Sequence, residues 1–67
     1  MNRYRARMER ELDSICECVS AFAAEPDERA HIEKAMQHAR NARAMANRWA
    51  PRALEPIAVI VADLERL

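Results

Sequence analysis

The sequence has no glycine, and this absence excludes several familiar sites. Phosphate-binding loops of the P-loop and dinucleotide-binding types need glycines, because the backbone must turn sharply and approach the phosphates closely. Aromatic residues are almost as scarce, with one Trp, one Tyr and one Phe. What remains is rich in alanine, arginine, glutamate and methionine, all of which favour helices.

Long apolar runs and a cysteine framework are also missing. The longest apolar run covers residues 56–62, far short of a membrane span. The N-terminal stretch MNRYRARMERELD is charged and has no apolar region after it, so we expect no signal peptide. The two cysteines stand one residue apart and do not form a disulfide framework. These features predict a reducing, cytoplasmic location.

A chain of 67 residues is one domain near the lower size limit for independent folding. Small proteins of this kind usually add disulfides, a metal or a partner chain. The formal net charge is zero, which argues against a general nucleic-acid or membrane coat. Arginine far outnumbers lysine and alanine is abundant, a composition typical of GC-rich bacterial or phage genomes.

Apolar spacing predicts an all-α fold of three helices, over residues 2–24, 26–49 and 52–67. Pro26 suits a first helical position, and Asp27 and Glu28 behind it complement the positive end of the helix dipole. The first two helices are expected to form an antiparallel hairpin, with the third, shorter helix capping it. The run IAVIV could instead form a strand, but the chain offers no partner strand. The residues expected to face the core are Tyr4, Met8, Leu12, Ile15, Val19 and Phe22, then Ile32, Ala35, Ala39, Ala42, Ala46 and Trp49, then Ile57, Ile60, Leu64 and Leu67.

Charge is segregated along the chain. Residues 9–33 carry most of the acids, and residues 34–52 carry bases only. In an antiparallel hairpin, Glu9, Glu11 and Glu17 would lie near Arg43, Arg40 and Lys34. Exposed ion pairs contribute only about 0–1 kcal/mol each. The acidic and basic segments are therefore expected to select the alignment of the two helices more than to stabilise it.

Cys16, Cys18, His31 and His38 are the residues that most invite a metal-site interpretation. The two cysteines diverge by about 200° on a helix, and the two histidines lie two turns apart. Neither pair can chelate one ion, so no metal or other cofactor is predicted. Cys16 is expected to be a small, buried neighbour of the core.

No catalytic arrangement is predicted. The acidic stretch ERELDSICE is better explained as a solvated helix face than as a carboxylate pair in a cleft. Ser14 and Ser20 have no triad partners that spacing would support. The protein is therefore expected not to be an enzyme.

Nucleic-acid binding is an alternative hypothesis. Arginines beside Tyr4 and Trp49, at the hairpin end away from the turn, could hold phosphates and stack on bases. The acidic block would repel a duplex, and the second helix is too rich in alanine for a recognition helix. Trp49 is more simply explained as a core residue held against the third helix.

The C-terminal segment carries the main functional prediction. It is apolar on more than one face, so it should cover a second surface as well as its own hairpin. A homodimer is expected, in which the Ala-rich second helices or the C-terminal helices pack on their counterparts. The predicted basic rim is Arg3, Arg7, Arg48 and Arg52. The predicted partner-binding residues are Trp49, Leu54, Ile57, Val59, Ile60, Val61, Leu64 and Leu67.

We therefore predict a non-enzymatic protein-binding module, an inhibitor or adaptor that blocks or chaperones a target protein of unknown identity. The stretch RALEPIAVI resembles the ends of short helical-hairpin co-chaperones of bacterial type III secretion, although its prolines depart from that pattern. In size the chain is similar to small phage-encoded inhibitors of host regulators or defence systems. Both resemblances imply a helical protein that acts by binding another protein.

Overall fold

The computed structural model describes residues 3–67 and is all-helical, with no strand over that range. Helix α1 spans Arg3–Ala24 and α2 spans Ala30–Trp49. A 3₁₀ turn, Pro51–Ala53, leads directly into α3, Leu54–Arg66. The predicted all-α class with three helices is confirmed. The predicted start of the first helix, at residue 2, lies outside the described residues.

Helix α1 ends where Pro26 interrupts the backbone hydrogen bonds. The N–H of Glu25 donates to the carbonyl oxygen of Ala21 at 3.0 Å, which closes the last turn. Proline has no N–H to continue the series, and it disfavours helical backbone at the residue before it. The end of α1 at Ala24 therefore follows from the sequence.

Helix α2 begins four residues later than predicted, at Ala30 instead of Pro26. The N–H of Glu28 donates to the carbonyl oxygen of Glu25 at 2.9 Å, so Pro26 and Asp27 occupy a four-residue turn. The chain uses this turn to change direction before helical hydrogen bonding resumes. The Pro–Asp pair thus initiates a turn rather than the helix itself.

Alanine makes α2 the central helix. Ala35, Ala39, Ala42 and Ala46 are completely buried along one side of it. Small side chains let neighbouring backbones come close, and α2 packs against both α1 and α3. By contrast, no Cα of α1 lies within 8 Å of a Cα of α3 in the described chain. The two outer helices therefore depend on α2 for their relative positions.

The C-terminal segment is helical, so the strand alternative for IAVIV is wrong. The α-helix begins two residues later than predicted, because the chain first makes the 3₁₀ turn in which Ala53 donates to the carbonyl oxygen of Ala50 at 2.8 Å. Pro56 is the third residue of α3. Its missing N–H costs nothing there, since the first-turn N–H groups have no partner inside the helix.

The core consists of two adjoining clusters. Ile15 of α1 and Leu64 of α3 meet over Ala35 and Ala39, while Ile57 packs on Ala42 and Ala46. Leu12 and Val61 are half-buried and contact both clusters. Each fully buried aliphatic side chain contributes about 1.5–3 kcal/mol, so the buried face of α3 holds that helix on α2.

Candidate functional site

The eight predicted partner-binding residues divide between the core and the surface. Ile57 and Leu64 are buried, and Leu54, Ile60 and Val61 are half-buried. These five pack against the chain's own helices, which leaves them little area for a partner. The remaining three are exposed: Val59 at 56%, Leu67 at 47% and Trp49 at 44%.

Leu67 was expected to face the core with Ile57, Ile60 and Leu64, and this is wrong. It follows the last residue of α3, beyond the point where α2 can cover it. Its carbonyl oxygen accepts a hydrogen bond from Arg29 Nη1 at 2.6 Å. The backbone of Leu67 is therefore hydrogen-bonded to the α1–α2 turn, while about half of the residue is exposed.

Val59 lies on the side of α3 opposite the core. Two residues from Ile57 is about 200° around a helix, so burial of Ile57 directs Val59 outward. Its neighbours along that outward side, at helical spacing, are Glu55, Ala62 and Arg66. All four are exposed, and we refer to them as the outer α3 stripe.

A groove runs beside the outer α3 stripe, between α2 and α3. Its volume is about 370 Å³. Arg43 and Asn47 form the α2 wall, and Glu55 and Ala58 stand on the α3 wall over Leu54 and Val61. The groove therefore joins an apolar floor to charged edges, a combination that suits a side chain or helix from another protein better than a small apolar ligand.

Trp49 does not plug the core against the third helix, contrary to expectation. Its ring stacks on Tyr4, with ring centroids 3.7 Å apart and an interplanar angle of 13°. The guanidinium of Arg48 lies 5.1 Å from the centroid of the same indole. Trp49 is the last residue of α2, and the chain turns away immediately after it. The first turn of α1, rather than α3, therefore covers one side of the indole.

The predicted basic rim lies around this aromatic stack. Arg3 and Arg7 flank Tyr4 in α1, Arg48 precedes Trp49, and Arg52 lies in the 3₁₀ turn. All four arginines are exposed. Beside the stack is a cavity of about 240 Å³, lined by Tyr4, Arg5, Met8, Met45, Trp49 and Ala50. Met8 and Met45 make its interior apolar.

The predicted ion pairs between helices are replaced by a different contact. Within residues 3–67, no ion pair joins Glu9, Glu11 or Glu17 to Arg43, Arg40 or Lys34. Instead, the carboxylate of Glu11 accepts a hydrogen bond from His38 Nδ1 at 2.6 Å, and Glu9 pairs with Arg5 along α1. Packing against the small alanines turns the arginines of α2 outward, so they do not reach α1.

The prediction that Cys16 is a buried neighbour of the core is wrong. Cys16 is exposed, whereas Cys18 is half-buried and packs against the cluster around Ile15. A residue three positions after Ile15 returns to within about 60° of it, while the next residue turns 100° away. In the described part of the chain, no three His, Cys, Asp or Glu side chains converge as metal ligands.

Within residues 3–67, no helix is long and apolar enough to cross a membrane. Two surface features stand out on residues 3–67: the outer α3 stripe with its groove, and the aromatic stack with its arginines. No protein-family model, curated protein or solved structure matches this chain.

Proposed function

We propose that this chain is a non-enzymatic protein-binding module, in which α1 and α2 form an antiparallel hairpin that presents α3 to a target protein. The target lies along the exposed side of α3, and binding blocks or chaperones it. Arg48 and Arg52 of the basic rim stand near the start of α3 and favour a target with acidic groups there.

The observation that carries this proposal is the exposure of Val59, the most exposed large apolar residue of the described chain. Valine in the middle of a helix gains nothing from facing water. Ala58 and Ala62 beside it are also exposed, so the apolar area is continuous across the helix. A continuous exposed apolar area bordered by charges is typical of interaction sites.

The total accessible surface supports the same conclusion. It is 5132 Å² for a chain of 7.7 kDa, against about 4300 Å² for a typical monomeric protein of this mass. The molecule measures 39 × 21 × 13 Å, which explains the difference, because a flat shape buries less. An excess of several hundred Å² is similar to what one partner buries in a protein interface.

Affinity capture with Val59→Arg tests this function. The matched control is Ala44→Arg, which adds the same charge at an exposed position of α2. Both changes should leave the free energy of unfolding within about 0.5 kcal/mol of wild type, since both lie on the surface. We expect a protein from the source cell to be retained by wild type and Ala44→Arg and released by Val59→Arg. If Val59→Arg retains the same proteins as the control, the proposed use of α3 is wrong.

Val61→Arg is not an equivalent test. Val61 is half-buried and contacts both core clusters, so an arginine there would disturb the packing of α3 itself. Loss of binding by that variant would report unfolding as readily as a lost contact. Val59 is the position that separates the two effects.

Nucleic-acid binding by the basic rim is the second candidate, and the Tyr4–Trp49 stack is the observation that favours it. Arginines near aromatic rings can hold phosphates and stack on bases. In this chain, however, one face of each ring is already covered by the other ring. Arg48→Ala combined with Arg52→Ala should weaken such binding uniformly across sequences and reduce its salt dependence. Unchanged electrophoretic mobility of DNA and RNA at low salt would exclude this candidate.

A further inference from the structure

The outer α3 stripe has opposite charges at its two ends. Glu55, Val59, Ala62 and Arg66 follow one another at spacings of four, three and four residues, which keeps them on one side of the helix. Glu55 lies in the first turn and Arg66 in the last. At these four positions the order is acid, apolar, apolar, base over about three helical turns, and Asp63, four residues after Val59, lies beside them on the same side and pairs with Arg66.

Two copies of this stripe, aligned antiparallel, place opposite charges against each other. When two such helices are aligned antiparallel, Glu55 of one copy lies opposite Arg66 of the other, and Val59 lies opposite Ala62. Both contacts occur twice, related by the two-fold axis. A parallel alignment would place Glu55 on Glu55 and Arg66 on Arg66, and like charges directly opposite are destabilising. The stripe thus distinguishes one orientation from the other.

The side chains along the stripe also allow two helices to approach closely. Val59, Ala62 and the adjacent Ala58 are small, and all three are exposed. Arg66 is held only by an intrahelical pair with Asp63 at 3.7 Å, and both of these side chains are well exposed. Its guanidinium can therefore reach a carboxylate on a neighbouring molecule without breaking a buried contact. The other predicted dimer contact, through the alanines of α2, cannot form, because the alanines on the packed side of α2 are buried within the chain.

We infer that the outer α3 stripe binds a second copy of this chain, as an antiparallel two-fold dimer with Glu55 of each copy paired with Arg66 of the other. This inference rests on the proposed function in one respect, that the exposed side of α3 is the interaction face, and because the second copy and the target use the same side, each excludes the other. The groove between α2 and α3 lies along the edge of the contact and brings Arg43 near the same Glu55. Each copy presents the same surface, so the assembly closes at two chains.

The dimer should depend on concentration. A contact over about three helical turns belongs with the small interfaces, those below about 1200 Å² in total, which are typical of transient association. We expect sedimentation equilibrium of the full chain, under reducing conditions, to show monomer and dimer exchanging as the concentration is raised toward about 1 mM.

Charge reversal tests the orientation. Glu55→Arg alone and Arg66→Glu alone should each be monomeric, because each places like charges opposite one another twice. An equimolar mixture of the two variants should dimerise again, since every opposed pair is then of opposite sign. The double variant Glu55→Arg with Arg66→Glu should dimerise by itself. Arg40→Glu, at an exposed position of α2 outside the stripe, is the control and should leave the dimer unchanged.

The mixing experiment also separates this inference from a simpler role for the two charges. Glu55 and Arg66 complement the dipole of α3, which would stabilise the monomer alone. In that case each variant would lose helicity, and mixing would restore nothing. A mixture that stays monomeric overturns the proposed pairing, whatever its circular dichroism spectrum.

Cross-linking provides a measurement that does not depend on charge. With Cys16 and Cys18 replaced by serine, a chain carrying Val59→Cys should form a disulfide with a chain carrying Ala62→Cys. A chain carrying Ala44→Cys is the control and should not cross-link to Val59→Cys. Absence of the cross-link, together with a monomer at about 1 mM, overturns the inference. Target capture that is still lost in Val59→Arg would then show that the proposed function stands without the dimer.

Discussion

Arg29 fastens the end of α3 to the turn between α1 and α2. Its Nη1 donates a hydrogen bond to the carbonyl oxygen of Leu67 at 2.6 Å, and its guanidinium lies 5.7 Å from the centroid of the Phe22 ring. One side chain, placed just before α2, therefore contacts both α1 and the residue that follows α3. No Cα of α1 lies within 8 Å of a Cα of α3 in the described chain, so side chains join the two helices, through this bridge and through the core cluster of Ile15 and Leu64.

Replacing Arg29 should loosen the last turn of α3. We expect Arg29→Ala to lower the free energy of unfolding by about 0.5–1.5 kcal/mol, because an exposed, charge-assisted hydrogen bond and a cation–π contact are lost. Amide exchange should accelerate most in residues 64–67. Arg40→Ala, at an exposed position of α2, should change neither quantity. Equal effects of the two substitutions would show that the Leu67 contact does not hold α3.

The buried alanines of α2 should not accept larger side chains. Ala39→Leu should destabilise the fold by about 1–3 kcal/mol, because it forces α1 and α3 away from the central helix. Ala44→Leu makes the same chemical change at an exposed position of α2 and should be nearly neutral. Thermal unfolding of the two variants, followed by circular dichroism, measures the difference. A tolerated leucine at residue 39 would mean that α2 is not packed closely on both sides.

The contact between Glu11 and His38 should contribute more to stability than that between Arg5 and Glu9. The first joins two helices, with side chains 21% and 35% exposed, whereas those of the second are 60% and 77% exposed within one helix. Double-mutant cycles with alanine should give a coupling of about 1 kcal/mol for Glu11–His38 and about 0.3 kcal/mol for Arg5–Glu9. The reverse order would contradict the predicted dependence on burial.

Tyr4 should shield one face of the only tryptophan. Tyr4→Ala is expected to raise the quenching of Trp49 fluorescence by acrylamide, because it exposes the indole face now covered at 3.7 Å. Tyr4→Phe keeps an aromatic ring in place and should quench like wild type. If alanine and phenylalanine at residue 4 give the same quenching, the stack does not persist in solution.

The outer α3 stripe follows from the sequence alone. Spacings of four, three and four residues are visible as soon as α3 is recognised as a helix. The direction of Val59 also follows from spacing, because two residues after Ile57 is about 200° around the helix. Val61, four residues after Ile57, returns to the core face and packs on both clusters, which separates it from Val59 within the predicted partner-binding set.

The sequence by itself determined the three helices, the interruption at Pro26 and the buried alanines of α2, because these depend on backbone chemistry and on spacing within a single helix. Only the tertiary structure decided that α2 is central, that Trp49 stacks on Tyr4, that Cys18 rather than Cys16 faces the core, and that Arg29 reaches Leu67. Those features depend on how each helix is rotated and where its neighbours end. Contacts between residues far apart in the chain fix such rotations. The spacing of apolar residues within one helix does not specify them.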